Sequence, residues 1–217
     1  YSALSLLNRP EVNITTVEDP VEIRIPGLNQ VEVNKRVTFA DSLRTILRQD
    51  PDIILLGEIR DKETAEIAVQ AGQTGHFVLS TIHTVDSIEV ITRLRKLGIS
   101  SYDIGSVLAT SIAQRLVRRV CKNCAKERPF TEDEIKEFQR IGARYNSEFN
   151  LEGKHTYEPV GCDKCNHTGF YGRIAANEIL VVDDDIKELI ISDGSITDIR
   201  KKAHEEGFRQ LVVDAFN

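Results

Sequence analysis

Short apolar runs alternate with amphipathic stretches over the first 120 residues of the chain. The run Ile53-Ile54-Leu55-Leu56 lies between turn residues, which is typical of a strand buried on both faces of a mostly parallel sheet. Further strands are predicted at residues 13–17 and 76–82, the latter also buried, and helices at residues 38–49, 62–70, 87–97 and 102–120. Because strands alternate with helices, we predict an α/β core.

The segment that follows the first strand predicts a β-hairpin. Val21, Ile23 and Ile25 alternate with polar residues, Pro26-Gly27 supplies a turn, and residues 31–33 return as the second strand. The next helix is predicted to begin at Thr38, three residues before Asp41, because this spacing resembles a capping box.

The pattern changes after Val120, where cysteine, glycine and polar residues replace the earlier periodicity. A helix at residues 131–140 is predicted from Thr131 and Glu134, which have the spacing of a capping box. Two more capped helices are predicted at residues 183–191 and 195–206.

Charge and hydropathy exclude several function classes. The chain has 34 acidic and 28 basic residues, for a formal charge of −6, whereas a protein that binds polyanions over its whole surface is normally basic. No run reaches the roughly 18 apolar residues that cross a bilayer, and the first residues lack the features of a signal peptide. We therefore expect a cytosolic protein without a transmembrane segment.

Acidic side chains follow two of the predicted strands. Glu58 comes directly after the run 53–57, and Glu18, Asp19 and Glu22 follow the run 13–17. Ligands of open α/β sheets bind at the carboxyl ends of the strands, where Glu58 could orient a magnesium-bound water or take its proton. Clustered carboxylates repel one another unless a cation or a proton compensates them, which favours Mg²⁺ or a base with a raised pKa.

Plainer interpretations remain open for each of these residues. The strand before Glu58 could simply end in a solvated loop, and acids near Glu18 could decorate a turn or a helix start. His83 follows the strand 76–82 and could stabilise charge beside a phosphate, but a histidine at a strand end is more often a surface or packing residue.

All four cysteines occur in two CxxC pairs, Cys121/Cys124 and Cys162/Cys165. In a reducing compartment this pattern predicts a closed tetrahedral zinc site with a structural role. Unligated thiols are the alternative, and His155 and His167 are possible substitute ligands. No position of such a site would be left open for catalysis.

A basic strip lies beside the first cysteine pair. Residues 115–128 contain Arg115, Arg118, Arg119, Lys122, Lys126 and Arg128 against one acid, Glu127. The strip could bind nucleic acid, but few aromatic residues interleave it and the chain is acidic overall, so an interface with another protein subunit is favoured.

The sequence lacks the phosphate-binding string Gly-x-x-x-x-Gly-Lys-Ser/Thr. Its single Gly-Lys pair, at Gly153, is followed by His155. Phosphate anchoring is therefore expected to be missing from this chain.

Together these motifs resemble the ATPases of type II secretion and type IV pilus assembly, within a RecA-like superfamily. Residues 16–22 resemble the family's aspartate box, residues 55–61 its divergent Walker B motif with glycine at position 57, and residues 75–86 its histidine box. Residues 43–52 and 114–117 also match. Family members place the Walker A loop just before a segment like residues 1–4, so the chain resembles a C-terminal fragment that begins after Walker A.

The resemblance implies an incomplete RecA-like P-loop core at residues 1–118, lacking the P-loop strand. It further implies a four-cysteine zinc-binding subdomain at residues 119–173 and a C-terminal helical subdomain at residues 174–217. The implied function is that of a hexameric motor using ATP, Mg²⁺ and Zn²⁺, which drives pilus assembly or protein secretion through an inner-membrane platform protein. Such a motor is cytoplasmic and peripheral to the inner membrane through its partners, and this chain alone would be inactive.

The resemblance also implies roles for single residues. Glu58 would be the catalytic Walker B glutamate, and Glu18 would help to position water and magnesium. His83 would lie near the nucleotide and the subunit interface. Asp19, Glu22 and Arg115 would contribute to nucleotide binding, the last of them toward a neighbouring subunit's nucleotide. A zinc-dependent protein- or nucleic-acid-interaction module using residues 115–128 and an inactive regulatory fragment are the alternatives.

Overall fold

The structure is a computed structural model that describes residues 1–145 and 149–215. Its helices are α1 (Ser2–Leu7), α2 (Phe39–Ile46), α3 (Lys62–Gln73), α4 (Glu89–Lys96), α5 (Ser101–Val107), α6 (Glu132–Arg144), α7 (Asp184–Ile191), α8 (Ile196–Glu205) and α9 (Leu211–Asp214). Its strands are β1 (Ile14–Glu18), β2 (Asn29–Glu32), β3 (Ile53–Leu56), β4 (Phe77–Ser80), β5 (Thr110–Val120), β6 (Ala125–Pro129), β7 (His155–Pro159) and β8 (Phe170–Val181), with a 3₁₀ turn at Asp163–Cys165.

A four-stranded parallel sheet in the order β2-β1-β3-β4 forms the centre of the first part of the chain. Every residue of β1 is buried. One apolar cluster joins Val17, Ile54 and Leu56 of the sheet to α2 and α3, and another joins Ile14 and Ile53 to Leu4 of α1. The sheet is therefore covered on both faces, as the unbroken apolar run of β3 predicts. The α/β class is confirmed.

The predicted hairpin after β1 is wrong, because β2 pairs with β1 in parallel and residues 21–25 form no strand. The backbone of this segment forms hydrogen bonds with the side-chain amide of Gln30 instead of with a neighbouring strand. It accepts a hydrogen bond from Ile25 N (2.7 Å) and donates one to the Ile23 carbonyl (3.0 Å). Ile25 packs under the sheet while Ile23 is 55% exposed, so the apolar alternation reflects a folded-back loop.

Strand β4 is not the buried strand that the apolar pattern predicts. It lies at the edge of the sheet, where it pairs with β3. Phe77 is 52% exposed, and Ser80 is also exposed. The apolar pattern predicts a strand there, but it does not show that one side of the strand lacks a neighbouring strand.

The helix predicted at residues 102–120 is also wrong beyond Val107. Helix α5 ends there, and residues 110–120 form the long strand β5, which pairs with β8. The partner strand begins 50 residues after β5 ends, at Phe170. This non-local pairing overrides the local helical pattern, as tertiary context commonly does for such segments.

The chain divides into two compact units. The first consists of residues 1–111 and 181–203, and the second of the described residues within 112–180 and 204–217. The first unit contains the parallel sheet, and the second contains the four cysteines, the β6–β7 pair and α6. The three-part division at residues 118 and 173 stays a prediction.

The predicted helix starts at Thr38 and Thr131 are confirmed. The Thr38 hydroxyl accepts a hydrogen bond from Asp41 N (3.1 Å) at the start of α2. At the start of α6, Thr131 and Glu134 form a reciprocal capping box. Arg128 donates two hydrogen bonds to the Glu134 carboxylate (2.7 and 2.8 Å). The hydrogen bonds from Arg128, and after them those from Thr131, lower the pKa of Glu134 to about 2.

Replacing Thr131 by alanine should destabilise the second unit by about 1 kcal/mol, since loss of the capping hydroxyl would leave the Glu134 amide unsatisfied. Urea unfolding followed by circular dichroism measures this change. Thr197→Ala, at an exposed position inside α8, is the control and should change stability by less than about 0.5 kcal/mol. Equal effects of the two variants would contradict a capping role.

Candidate functional site

The candidate site lies where β1 and β3 end side by side. Gly57 follows β3, and its amide donates a 2.7 Å hydrogen bond to the Val17 carbonyl. A Cβ atom at position 57 would lie 3.0 Å from that carbonyl oxygen and 3.3 Å from the Glu18 Cα. Glycine therefore lets the two strand ends approach closely, and this brings the backbone that precedes Glu58 against the backbone of Glu18.

Glu18 is buried, with only 4% of its surface exposed. Its carboxylate accepts hydrogen bonds from the hydroxyls of Tyr1 and Thr16 and from the Gln30 amide, which lies 3.1 Å away. Burial, followed by the hydrogen bond to Glu18, raises the pKa of Tyr1, so its hydroxyl remains a proton donor at neutral pH. Neutral donors thus hold this carboxylate in one orientation.

Glu58 is held differently, by a cation. Its side chain is 15% exposed, and Oε1 accepts a hydrogen bond from the Arg60 guanidinium. Among the described residues, Oε2 is buried and accepts no hydrogen bond; His83 Nε2 lies 3.5 Å from it. The Arg60 hydrogen bond outweighs burial and lowers the pKa of Glu58, so the carboxylate is charged at neutral pH and offers Oε2 as a proton acceptor.

His83 lies on the segment after β4, and two hydrogen bonds tie that segment to the end of β3. Thr81 donates its hydroxyl to the Gly57 carbonyl (2.7 Å), and its own carbonyl accepts from Ile59 N (2.9 Å). The His83 side chain is 89% exposed and faces solvent. A histidine that is both exposed and next to Glu58 can meet a ligand that arrives from solution.

The remaining candidate side chains occupy three different surroundings. Asp19 is exposed directly after Glu18; the pKa of Arg60 is raised first by its hydrogen bond to Glu58 and, to a smaller extent, by the charge of Asp19. Glu22 is exposed, and its backbone amide donates to the Tyr1 hydroxyl (3.2 Å). Arg115 is exposed on β5 in the second unit. The first unit thus brings together Glu18, Glu58 and His83.

Four residues of this site were not predicted from the sequence as site residues: Tyr1, Thr16, Gln30 and Arg60. Arg60 lies within residues 55–61, the segment that resembles Walker B. Its positive charge two residues after Glu58 could therefore have indicated an ion pair with that carboxylate. Gln30 could be found only from the parallel register, which pairs it with Thr16.

The four cysteines form the second candidate site, in the second unit. They are free thiols, and their sulfur atoms all lie within 4.8 Å of one another. Cys165 Sγ is 3.8 Å from Cys124 Sγ and from Cys162 Sγ. Because zinc–sulfur bonds of about 2.3 Å give a tetrahedron with edges of about 3.8 Å, this donor set fits a zinc ion.

Donors around the cysteines favour the thiolate form of two of them. Hydrogen bonds, first that from the Asn123 amide (3.4 Å), lower the pKa of Cys162 to about 6. Burial opposes ionisation of Cys165, but hydrogen bonds from backbone amides outweigh it and lower its pKa. Burial raises the pKa of Cys124 to about 12, so a cation is needed for all four sulfurs to ionise together.

The basic strip is not a helix face, since its residues lie on β5, on β6 and between them. Two of its cations already have partners. Arg128 pairs with Glu134, and Arg118 lies over the Phe170 ring at 3.9 Å from its centroid. These contacts reduce the charge available to a polyanion.

Solved structures establish the class of the fold. The crystal structure of the pilus retraction motor PilT with bound ADP matches 98% of this chain, which covers 55% of that one, with a TM-score of 0.62 and 24% identity. The ATPase DotB from Legionella pneumophila matches 94% of this chain, which covers 46% of that one, with a TM-score of 0.58 and 23% identity. The chain thus has the α/β fold of these ATPases. The model of the family described as "Type II/IV secretion system protein" matches residues 1–216, and the chain belongs to that family.

Curated relatives are similar over nearly the whole chain. The type IV pilus assembly ATPase PilB of Thermus thermophilus is 44% identical over 99% of this chain, which spans 24% of that protein. The type II secretion system ATPase E of Vibrio cholerae is 49% identical over 89% of this chain, which spans 37% of that protein. The chain therefore spans well under half the length of these two relatives. Each helix in the described part of the chain is too short or too polar to span a lipid bilayer.

Proposed function

We propose that this chain is part of a motor ATPase of type II secretion or type IV pilus assembly, and that it supplies the carboxylates that activate water. The observation that carries the proposal is the side-by-side ending of β1 and β3, which places a charged glutamate, Glu58, beside a buried one, Glu18. Family membership and the named activity of relatives support it.

In the proposed reaction, water attacks the γ-phosphorus of ATP, the bond to the bridging oxygen breaks, and ADP and phosphate leave. Glu58 takes the proton of the attacking water at Oε2, the oxygen that Arg60 leaves unoccupied. His83, 3.5 Å away, stabilises the charge of the nucleotide phosphates from the solvent side. Mg²⁺, when bound with ATP, would neutralise phosphate charge.

The other acids and Arg115 have supporting roles in the proposal. Glu18 orients the reacting water through a carboxylate that its three donors keep fixed. Asp19 and Glu22, exposed on the segment that follows, contribute to binding of the nucleotide with its magnesium. Arg115 faces the nucleotide of a neighbouring subunit in a homo-hexamer.

The zinc site has a structural role in the proposal, with Cys121, Cys124, Cys162 and Cys165 as ligands. The proposed motor acts at the cytoplasmic side of the inner membrane, where a platform protein holds it. Nucleic acid is not a proposed partner, because Arg118 and Arg128 are engaged within the chain.

The 217-residue chain by itself should bind ATP weakly and hydrolyse none measurably, because it contains no Walker A string to anchor the phosphates. The full natural protein that contains it should turn ATP over. Calorimetric titration with Mg-ATP and a phosphate-release assay on both proteins test this expectation. Turnover by the single chain that disappears in Glu58→Gln would overturn it, and an inactive full protein would overturn the proposed function.

A further inference from the structure

Gln30 lies directly beside the Glu18 carboxylate because of how β1 and β2 pair. The parallel register sets Gln30 against Thr16, and Thr16 and Glu18 share one face of β1 because they are two residues apart. The Gln30 amide nitrogen lies 3.1 Å from Glu18 Oε1. Strand pairing therefore places the Gln30 side chain at this carboxylate.

Neighbouring backbone groups fix which end of the Gln30 amide faces Glu18. The Ile25 N–H can only donate, so the atom 2.7 Å from it must be the amide oxygen. The amide nitrogen then donates both of its hydrogens, one to the Ile23 carbonyl (3.0 Å) and one to Glu18. A flipped amide would lose all three hydrogen bonds.

Glu18 depends on such neutral donors for its orientation. It is 4% exposed, and within the described residues no Lys, Arg or His nitrogen lies within 4 Å of its carboxylate oxygens. Thr16 and Gln30 share Oε1, while Tyr1 holds Oε2. Loss of the Gln30 donor would leave Oε1 with the Thr16 hydroxyl, which can rotate.

We propose that Gln30 is a positioning residue for ATP hydrolysis, which acts through Glu18. Its amide holds the carboxylate and also ties down residues 23–25 of the loop that carries Asp19 and Glu22. One side chain thus couples the buried acid to the exposed acidic loop. The inference rests on the proposed function, since it assigns Gln30 a role in the same reaction.

Two substitutions in the full natural protein separate positioning from a merely structural role. Gln30→Leu removes all three hydrogen bonds and should lower kcat roughly 10- to 100-fold at every pH, with the KM for ATP within about threefold of wild type. Gln30→Glu keeps the shape of the side chain but sets a carboxyl group against Glu18. Two carboxylates at this distance share a proton, which raises the pKa of one of them.

The Gln30→Glu variant should therefore gain a pH dependence in addition to any that the wild type shows. Below the raised pKa the introduced carboxyl is protonated, donates its one hydrogen to Glu18 Oε1 and accepts from Ile25 N, so kcat recovers toward the wild-type value although the Ile23 carbonyl loses its donor. Above that pKa the donor is lost, and kcat falls roughly 10- to 100-fold. The titratable and charged groups around this pair include Arg24, whose guanidinium donates to the Gln30 backbone carbonyl (3.4 Å), together with Tyr1, Asp19, Glu32, Glu58 and Arg60.

Phosphate release is measured between pH 6 and pH 8.5, with circular dichroism to verify folding and with Gln70→Glu as the control. Gln70 is exposed on α3, so its variant adds the same charge away from Glu18 and should keep the wild-type pH profile. If both Gln30 variants keep the wild-type kcat and pH profile while Glu58→Gln is inactive, this inference is wrong and the proposed function stands. An active Glu58→Gln would sink the proposed function. If Gln30→Leu does not fold, the pH profile of Gln30→Glu decides, and an unchanged profile overturns the inference.

Discussion

Replacing Glu58 by glutamine in the full natural protein should lower kcat for ATP hydrolysis by roughly 100- to 10,000-fold, which is the usual contribution of a general base. Glutamine has nearly the same shape, but it offers an amide where the carboxylate offered a proton acceptor. Because Glu58 is not proposed to anchor the phosphates, the KM for ATP should stay within about threefold. Steady-state phosphate release measures both constants.

Glu66→Gln is the matched control for this substitution. Glu66 is exposed on α3 and forms an i,i+4 ion pair with Lys62 (3.5 Å), so the same change of charge occurs away from the site. Exposed pairs of this kind contribute about 0.3–0.5 kcal/mol, and kcat should change less than about twofold. A Glu58→Gln protein that keeps wild-type kcat would remove Glu58 from the reaction.

The sequence predicts those parts of the fold that depend on local signals. The unbroken apolar run of β3, the acid that follows it, and the caps at Thr38 and Thr131 each depend on neighbours within a few residues. The two cysteine pairs are likewise predictable from local sequence, because the CxxC spacing places both cysteines of a pair on one short turn. These features needed no knowledge of what packs against them.

Features that depend on distant partners were missed. The segment 21–25 alternates like a strand, but the Gln30 amide satisfies its backbone, so no hairpin forms. Residues 110–120 have a helical pattern, yet they pair with β8. The same non-local information decides the surroundings of Glu18. Its donors come from the start of the chain, from β1 and from β2, and only the register reveals the last of them.

The site at the end of β3 shows why motif and geometry are both needed. The motif contains Gly57, Glu58 and Arg60 close together in sequence, but only the structure shows the separate role of each residue. Gly57 admits the neighbouring strand end, and Arg60 occupies one oxygen of Glu58 and lowers its pKa. A larger residue at position 57 would push Glu18 and Glu58 apart.

Removal of the proposed zinc ligands should unfold much of the second unit. Among the described residues, its buried apolar side chains are six: Cys121, Leu151, Cys165, Ala176, Leu180 and Val213. Two of these are cysteines of the candidate site, so burial alone offers little stability to the cysteine-bearing turns. Structural zinc sites supply such stability directly, with binding free energies of about 10–16 kcal/mol in zinc-finger peptides.

The double substitution Cys162→Ser with Cys165→Ser should therefore reduce bound zinc from about one ion per chain to nearly none. Limited proteolysis with trypsin should then cleave after Lys122, Lys126 and Lys164 faster than it cleaves the wild-type protein. Metal analysis by mass spectrometry and a trypsin time course measure the two effects. The reason is physical: without the metal, the remaining sulfurs must be protonated or repel one another.

His167→Ala provides the control, because His167 lies close to the cysteines in sequence but pairs with Asp163 (3.0 Å) instead of joining the sulfur cluster. This variant should keep its zinc and its resistance to trypsin. If His167→Ala loses its zinc, the His167 imidazole is a zinc ligand in place of one of the four cysteines. Freshly purified wild-type protein with four free thiols, little zinc and full protease resistance would show that the second unit folds without metal, since its packing would then be sufficient by itself.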